Sequence, residues 1–239
     1  MDIFTPNKRI WIPDNTIADS LASPPAISRM IAYNTSKRIC SLTPHRVMMG
    51  AAGGGVPGDV TSYDFDGTGD YLSIPDHADW DVAGSNSDNW TIDFWVKHRS
   101  TPTTTEEHYI VQSEGNSNNA WYLKMNTTHG LVFGVSSGGD VGFIRTTQSG
   151  GAIITDTNWH HIAMIKKAAE YGVYVDGSQY GYVNDSSIDT FAGALWIARF
   201  NDGSWPLPFD GNIDDIRIIQ SDPFGGAPNS GKTDTIIIP

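Results

Sequence analysis

The residues best suited to chemistry sit in loops. Asn201-Asp202-Gly203-Ser204-Trp205-Pro206 sets a tryptophan beside an amide and a carboxylate. A sugar offers an apolar ring face and a set of hydroxyls, so an aromatic plane flanked by such groups is what a glycan site needs. Trp205, Asn201 and Asp202 are therefore the first choice of glycan-binding residues. Trp80 with Asp79, and Asn116, Asn118 and Asn119 with Trp121, are second choices. The alternative for each of these tryptophans is a core or loop anchor. His160-His161 resembles a metal pair, but adjacent strand positions turn their rings to opposite faces. At least one of the two is expected to be a buried, hydrogen-bonded histidine. Asp214-Asp215 is a doublet of the same kind, with its carboxylates expected on opposite faces. No Gly-x-Ser-x-Gly, zincin or Cys–His signature accompanies these residues.

The elements that must position these loops are strands. Tyr63 and Phe65 alternate with Asp64 and Asp66, which is the two-residue period of a half-buried strand. The chain turns at Asp66-Gly67 and Gly69-Asp70, runs through Leu72 and Ile74, and stops at Pro75. Trp90, Ile92, Phe94 and Val96 share one face of the next strand, and Thr91, Asp93, Trp95 and Lys97 the other. Asp176-Gly177 is the favoured dipeptide of a tight hairpin turn. Short strands recur with turn signals through Ile219, about a dozen in all by this spacing. That density predicts an all-β antiparallel sandwich of the jelly-roll kind. Glutamate, a strong helix former, is limited to Glu106, Glu107, Glu114 and Glu170.

The chain has 239 residues and a net charge of −12, which disfavours nucleic acid as a partner. No apolar run approaches the ~20 residues that span a bilayer, so membrane insertion is not expected. Cys40 is the only cysteine, and the first residues show no basic-then-apolar signal pattern. Both point to folding in a reducing cytoplasm.

Residues 1–50 differ from the rest. They carry Lys8, Arg9, Arg29, Lys37, Arg38 and Arg46 against Asp2, Asp14 and Asp19, a net +3, so the remainder bears −15 and the whole chain −12. Prolines forbid long helices there. The stretch is expected as an extended basic arm for assembly, with Lys8, Arg9, Trp11, Arg29, Lys37 and Arg38 as docking residues. Residues 51–60 form a Gly-rich linker, 61–221 the sandwich, and 222–239 a short extended tail. The tail ends in Ile236-Ile237-Ile238, an apolar strand that closes its own sheet or adds to a partner's edge.

Five stretches occur in a characteristic order: Tyr63 to Asp81, Trp90 to Lys97, Asn158 to Ala163, Tyr174 to Gly177, and Phe209 to Ile218. Together they resemble the laminin G-like branch of the concanavalin A-like lectin/glucanase superfamily. The resemblance implies two curved antiparallel sheets. Its glucanase members use paired glutamates in an E-x-D-x-x-E strand, a pattern this chain lacks, so a non-catalytic protein is expected and a glycoside hydrolase is remote. The resemblance also implies a structural Ca²⁺ between the first turn and the last strand, at Asp66, Gly67 and Asp214 or Asp215, with Asp210 a further ligand. The alternative for Asp66 and Asp210 is an ordinary Asp-Gly turn. Similar domains occur in bacteriophage fibres, tails and capsid surfaces, and lysis reconciles such a domain with synthesis in the cytoplasm. The expectation is a virion surface component that associates with other virion subunits or with itself and binds cell-surface glycans. The alternative is a free-standing extracellular lectin or adhesin.

Overall fold

The computed structural model describes residues 8–12, 18–19, 29–34 and 39–43 as strands, then 62–101, 106–115, 118–126, 130–138, 140–145, 153–200 and 208–238. In chain order its strands are β1 (Lys8–Ile12), β2 (Ala18–Asp19), β3 (Arg29–Asn34), β4 (Ile39–Thr43), β5 (Tyr63–Asp66), β6 (Leu72–Ile74), β7 (Asn89–His98) and β8 (Glu106–Ser113). There follow β9 (Ala120–Asn126), β10 (Gly130–Ser137), β11 (Asp140–Arg145), β12 (His160–Lys167), β13 (Glu170–Val175), β14 (Ser178–Asn184), β15 (Ala194–Ile197) and β16 (Asp210–Ile219). Among the described residues the only helical element is a single 3-10 turn, Ala78–Trp80.

The strands make two sheets. The first runs β1-β3-β4-β16-β7-β12-β13-β14 with β5 also on β16, and the second runs β11-β10-β9-β8-β15-β6-β2. β16 is long enough to serve two neighbours on one edge. Its first half pairs with β5, from Asp210↔Asp66 to Ile213↔Tyr63. Its second half pairs with β4, from Ile216↔Leu42 to Ile219↔Ile39. Residues 1–50, set apart in the sequence as an arm, thus give β1, β3 and β4 to one sheet and β2 to the other. The outer arm residues Lys8, Arg9 and Trp11 lie in β1 and Arg29 in β3, while Lys37 and Arg38 fall outside the described residues.

The core lies between the sheets because apolar residues repeat every second position. Trp90, Ile92, Phe94 and Val96 of β7 all enter it, as the alternation requires. Phe133 of the second sheet stacks on Tyr171 of the first, with ring centroids 5.6 Å apart. A polar tie also crosses the core. His98 of β7 meets the Tyr109 hydroxyl at 2.9 Å and Glu107 Oε2 at 2.9 Å, both on β8. Full burial of each large side chain contributes roughly 1.5–3 kcal/mol.

The opposite face of β7 does not reach solvent in the way alternation suggests. Thr91 and Asp93 are buried too, because the C-terminal tail crosses the outer face of the first sheet. The Thr91 hydroxyl donates to the Ser221 carbonyl at 2.9 Å. The Ile236 amide donates to the Gly177 carbonyl at 2.8 Å, and Thr235 bridges Ser178. Ile236 packs with Ala163, Ile165 and Tyr174, with Phe224 and Ile238 alongside. The isoleucine run is not the strand expected: a single bridge at Thr235 ties it to β14, Ile236 packs on the outer face, and of the three isoleucines only Ile237 stays exposed, at 88%.

Candidate functional site

The tail leaves one end of that outer face open, where β7 and β16 meet. Their register slips between Asp214 and Arg217, a β-bulge. Asp215 has φ +49°, a left-handed conformation that Asp tolerates better than most side chains. Its amide donates to Asp214 Oδ1 at 2.8 Å. Ile213 and Ile216 both enter the core. Neither aspartate between them does, with Asp214 half-buried and Asp215 exposed. Strict alternation across this doublet is thus corrected: the bulge inserts an extra residue and re-aims the strand.

The bulge sets Arg217 against Asp93. The Arg217 Nε is 3.1 Å from both Asp93 carboxylate oxygens, and its Nη2 is 2.5 Å from Oδ2. Asp93 is only 2% exposed, and its Oδ2 also meets His161 Nε2 at 3.1 Å. A carboxylate this deeply buried is tolerable only with such compensation. The His161 ring stands edge-on to Trp95 on one side and to Phe224 on the other. Phe224 also lies 5.5 Å under the Arg217 guanidinium. The tail thereby holds the polar group from behind.

In front of it is a pocket of about 160 Å³ lined by Asp93, Trp95, Asp215 and Arg217. Trp95 is half-buried, and the Arg217 side chain is 30% exposed. Burial pushes the neighbouring Asp214 carboxyl up to about 6, with the Asp215 amide opposing and the Asp215 charge adding. The recess offers an indole ring, an exposed carboxylate and a fixed guanidinium–carboxylate pair. It is about half the ~300 Å³ at which pockets for drug-sized ligands begin, so it has room for a single small polar ring.

The sequence named other residues for this role. Trp205, Asn201 and Asp202 lie outside the described residues. Trp80 is corrected: it is 5% exposed within the main core, and its carbonyl accepts from the Trp121 indole at 2.8 Å, so its ring cannot stack on a sugar. Asn118 is exposed, in the turn before β9 of the second sheet. Of the histidine doublet, His161 is buried on Asp93, while His160 bonds Asp176 at 2.7 Å and Asp156 at 3.0 Å. Trp95 was legible as a tryptophan on the polar face of its strand. The Asp-Asp doublet was the one hint of the bulge.

Of the expected calcium ligands, Asp66, Gly67 and Asp210 lie together where β5 meets β16, and Asp214 and Asp215 lie apart from them. Asp66 Oδ1 accepts the amides of Thr68 at 2.8 Å and Gly69 at 3.1 Å, an Asx turn, and these bonds hold its carboxyl down at about 2. Gly67, at φ +73°, packs on Asp210, where a Cβ would meet Asp210 Cβ at 2.8 Å. Asp210 itself accepts from Arg99 Nε at 2.6 Å, and Arg99 Nη2 reaches Asp64 at 2.7 Å. A guanidinium stands where the ion's charge would act. Asp214 and Asp215 sit farther along β16, at the bulge. As placed, these residues do not fit a calcium ion, and among the described residues no group of three or more His, Cys, Asp or Glu could hold one.

The fold and this recess define a two-sheet lectin-like sandwich with a small polar-aromatic site on one outer face. The chain belongs to the Concanavalin A-like lectin/glucanases superfamily, whose laminin G-type model matches residues 66–222. Similar solved structures share the fold at low identity. Domain 4 of an extracellular GH43 arabinanase from Geobacillus stearothermophilus, solved with arabinotriose, is 14% identical with TM-score 0.51, over 86% of this chain and 82% of that one. The CBM40 of a Ruminococcus gnavus IT-sialidase, bound to α2,3-sialyllactose, is 12% identical with TM-score 0.52, over 67% and 89%. Domains LG4-5 of the mouse laminin α1 chain are 15% identical with TM-score 0.50, over 84% and 70%. No curated protein sequence matches the chain.

Proposed function

We propose that this chain is a non-catalytic, glycan-binding sandwich displayed on a bacteriophage particle, as a capsid decoration or a component of a fibre or tail. The observation that carries the glycan half is the recess of Trp95, Asp93, Asp215 and Arg217, an aromatic plane beside hydrogen-bonding groups. It is supported by two relatives in fold that were solved with saccharides. The virion half draws on the single cysteine, which suits a protein folded under reducing conditions. It draws also on the charge contrast between residues 1–50 and the rest, which suits docking on other virion subunits or further copies of this chain even with β1 to β4 paired into the chain's own sheets. The exposed Ile237 adds an apolar contact on the tail. One recess this small binds modestly, and a particle carrying many copies gains the rest by avidity.

A glycan array probed with the full chain tests the first half. Binding that falls at least tenfold in Trp95→Ala supports it, and silence across the array overturns it. Immunogold labelling of particles released by lysis tests the second. Gold on heads or tails supports display, whereas protein found only free in the medium favours the alternative of a free-standing lectin or adhesin.

A further inference from the structure

We infer that the Trp95 recess takes an electrically neutral saccharide unit and rejects sialic and uronic acids. This rests on the glycan-binding reading above and specifies its ligand. The argument is an accounting of charge. Among the described residues, Arg217 is the one basic residue lining the recess. Its Nε and Nη2 already donate to Asp93, which is almost wholly buried. A sugar carboxylate is left only the remaining Nη1 and Nη2 hydrogens of a guanidinium whose charge Asp93 already compensates, and drawing Arg217 further would leave a buried carboxylate to His161 alone.

Among the described residues, the other charges nearest the recess are carboxylates. Asp215 is exposed at its mouth, Asp214 precedes it on the bulge, and the whole chain carries −12. Lys97 lies two residues beyond Trp95 on β7, opposite Asn212 in the ladder, and does not line the recess. An anion approaching here meets carboxylates before it meets a free cation. A neutral sugar meets the reverse situation. Its hydroxyls are donors and the exposed Asp215 carboxylate is an acceptor, while its apolar face can lie on the Trp95 indole. The shared fold with a sialyllactose-binding module therefore does not carry over to ligand charge. The same β-bulge that opens the recess also supplies its negative rim.

The test is a titration of the full chain with arabinotriose, lactose, 3′-sialyllactose and trigalacturonic acid, followed by tryptophan fluorescence and by the indole NH resonance of Trp95. The expected result is binding of at least one neutral probe, with the acidic probes at least tenfold weaker. Asp215→Asn keeps a side chain that accepts the left-handed backbone. It should weaken the neutral probe and narrow the gap to the acidic ones. Trp95→Phe, which retains a ring in the same place, should keep partial binding where Trp95→Ala loses it. Acidic probes that bind as tightly as neutral ones, with Trp95 dependence, overturn the charge inference and leave the glycan-binding reading standing. Binding that is indifferent to Trp95 overturns this site. Silence from every probe and from the glycan array overturns the glycan-binding reading and this inference with it.

Discussion

The two outer faces of the sandwich are finished in different ways. On the first sheet the outward residues are covered by the chain's own tail: His161 and Arg217 lie against Phe224, and Ala163, Ile165 and Tyr174 against Ile236. On the second sheet the outward residues cover one another. Val111, Ala120, Tyr122, Val132 and Phe200 form a small cluster with Trp196 against it. His108 stacks on Phe200 at 5.0 Å, and Tyr71 tilts against Trp196 at 5.1 Å. Among its described residues, that face is closed by rings packed on one another. A face closed by a crossing segment is left open where that segment stops, and the recess lies at that opening.

If the first face is held by compensated charge, removing the shared carboxylate should do the most damage. Asp93→Ala leaves Arg217 and His161 without their common acceptor, a cost of about 3–5 kcal/mol. Urea unfolding should show the midpoint fall with little change in slope. A loss below 1 kcal/mol would mean that water already shares the load and that the face is not sealed by its tail.

If the second face is closed by tight ring packing, the smallest insertion should hurt it. A Cβ added at Gly134 runs into the Tyr122 ring. Gly134→Ala is expected to cost about 1–3 kcal/mol by overpacking, and the double variant with Tyr122→Leu should recover part of it. A neutral Gly134→Ala would show that the ring can swing away and that this face is looser than its burial suggests.

Much of the frame was legible from residue order. The β7 alternation gave the core face because Trp90, Ile92, Phe94 and Val96 have only one place to go. Asp176-Gly177 gave the β13–β14 hairpin because both residues must take positive φ, and they do, at +49° and +82°. What escaped was long-range. Asp93 reads as a solvent residue until a tail about 130 positions later covers its strand, as the Thr91–Ser221 bond shows. The pairing of Asp93 with Arg217 depends on a bulge, and a bulge is one residue of slip that no period-two pattern announces. The burial of Trp80 escaped as well. A tryptophan in an acidic loop looks freer than one in a strand, yet the 3-10 turn at Ala78–Trp80 folds it inward.

The subtlest contrast between the faces is in their response to acid. At the rim of the first sheet, partial burial pulls His160 down, but its bonds to Asp176 and Asp156 outweigh that and leave it above its ordinary 6.5. A histidine raised in the folded state contributes stability that is fully present below the unfolded value and is lost as pH rises through the folded one. On the second face, burial first and then the Lys124 charge hold His108 well below 6.5. It stays neutral when folded, so it withdraws stability as pH falls below 6.5, where the unfolded chain takes up a proton. The two histidines should therefore tilt the profile of Tm against pH in opposite directions. His160→Gln is expected to lower Tm near pH 6 and change it little at pH 8.5. His108→Gln shifts Tm by its packing cost at every pH and removes part of the fall between pH 7 and pH 5. Parallel profiles for the two variants would mean that neither face couples its histidine to folding, and the difference between them would then be one of packing alone.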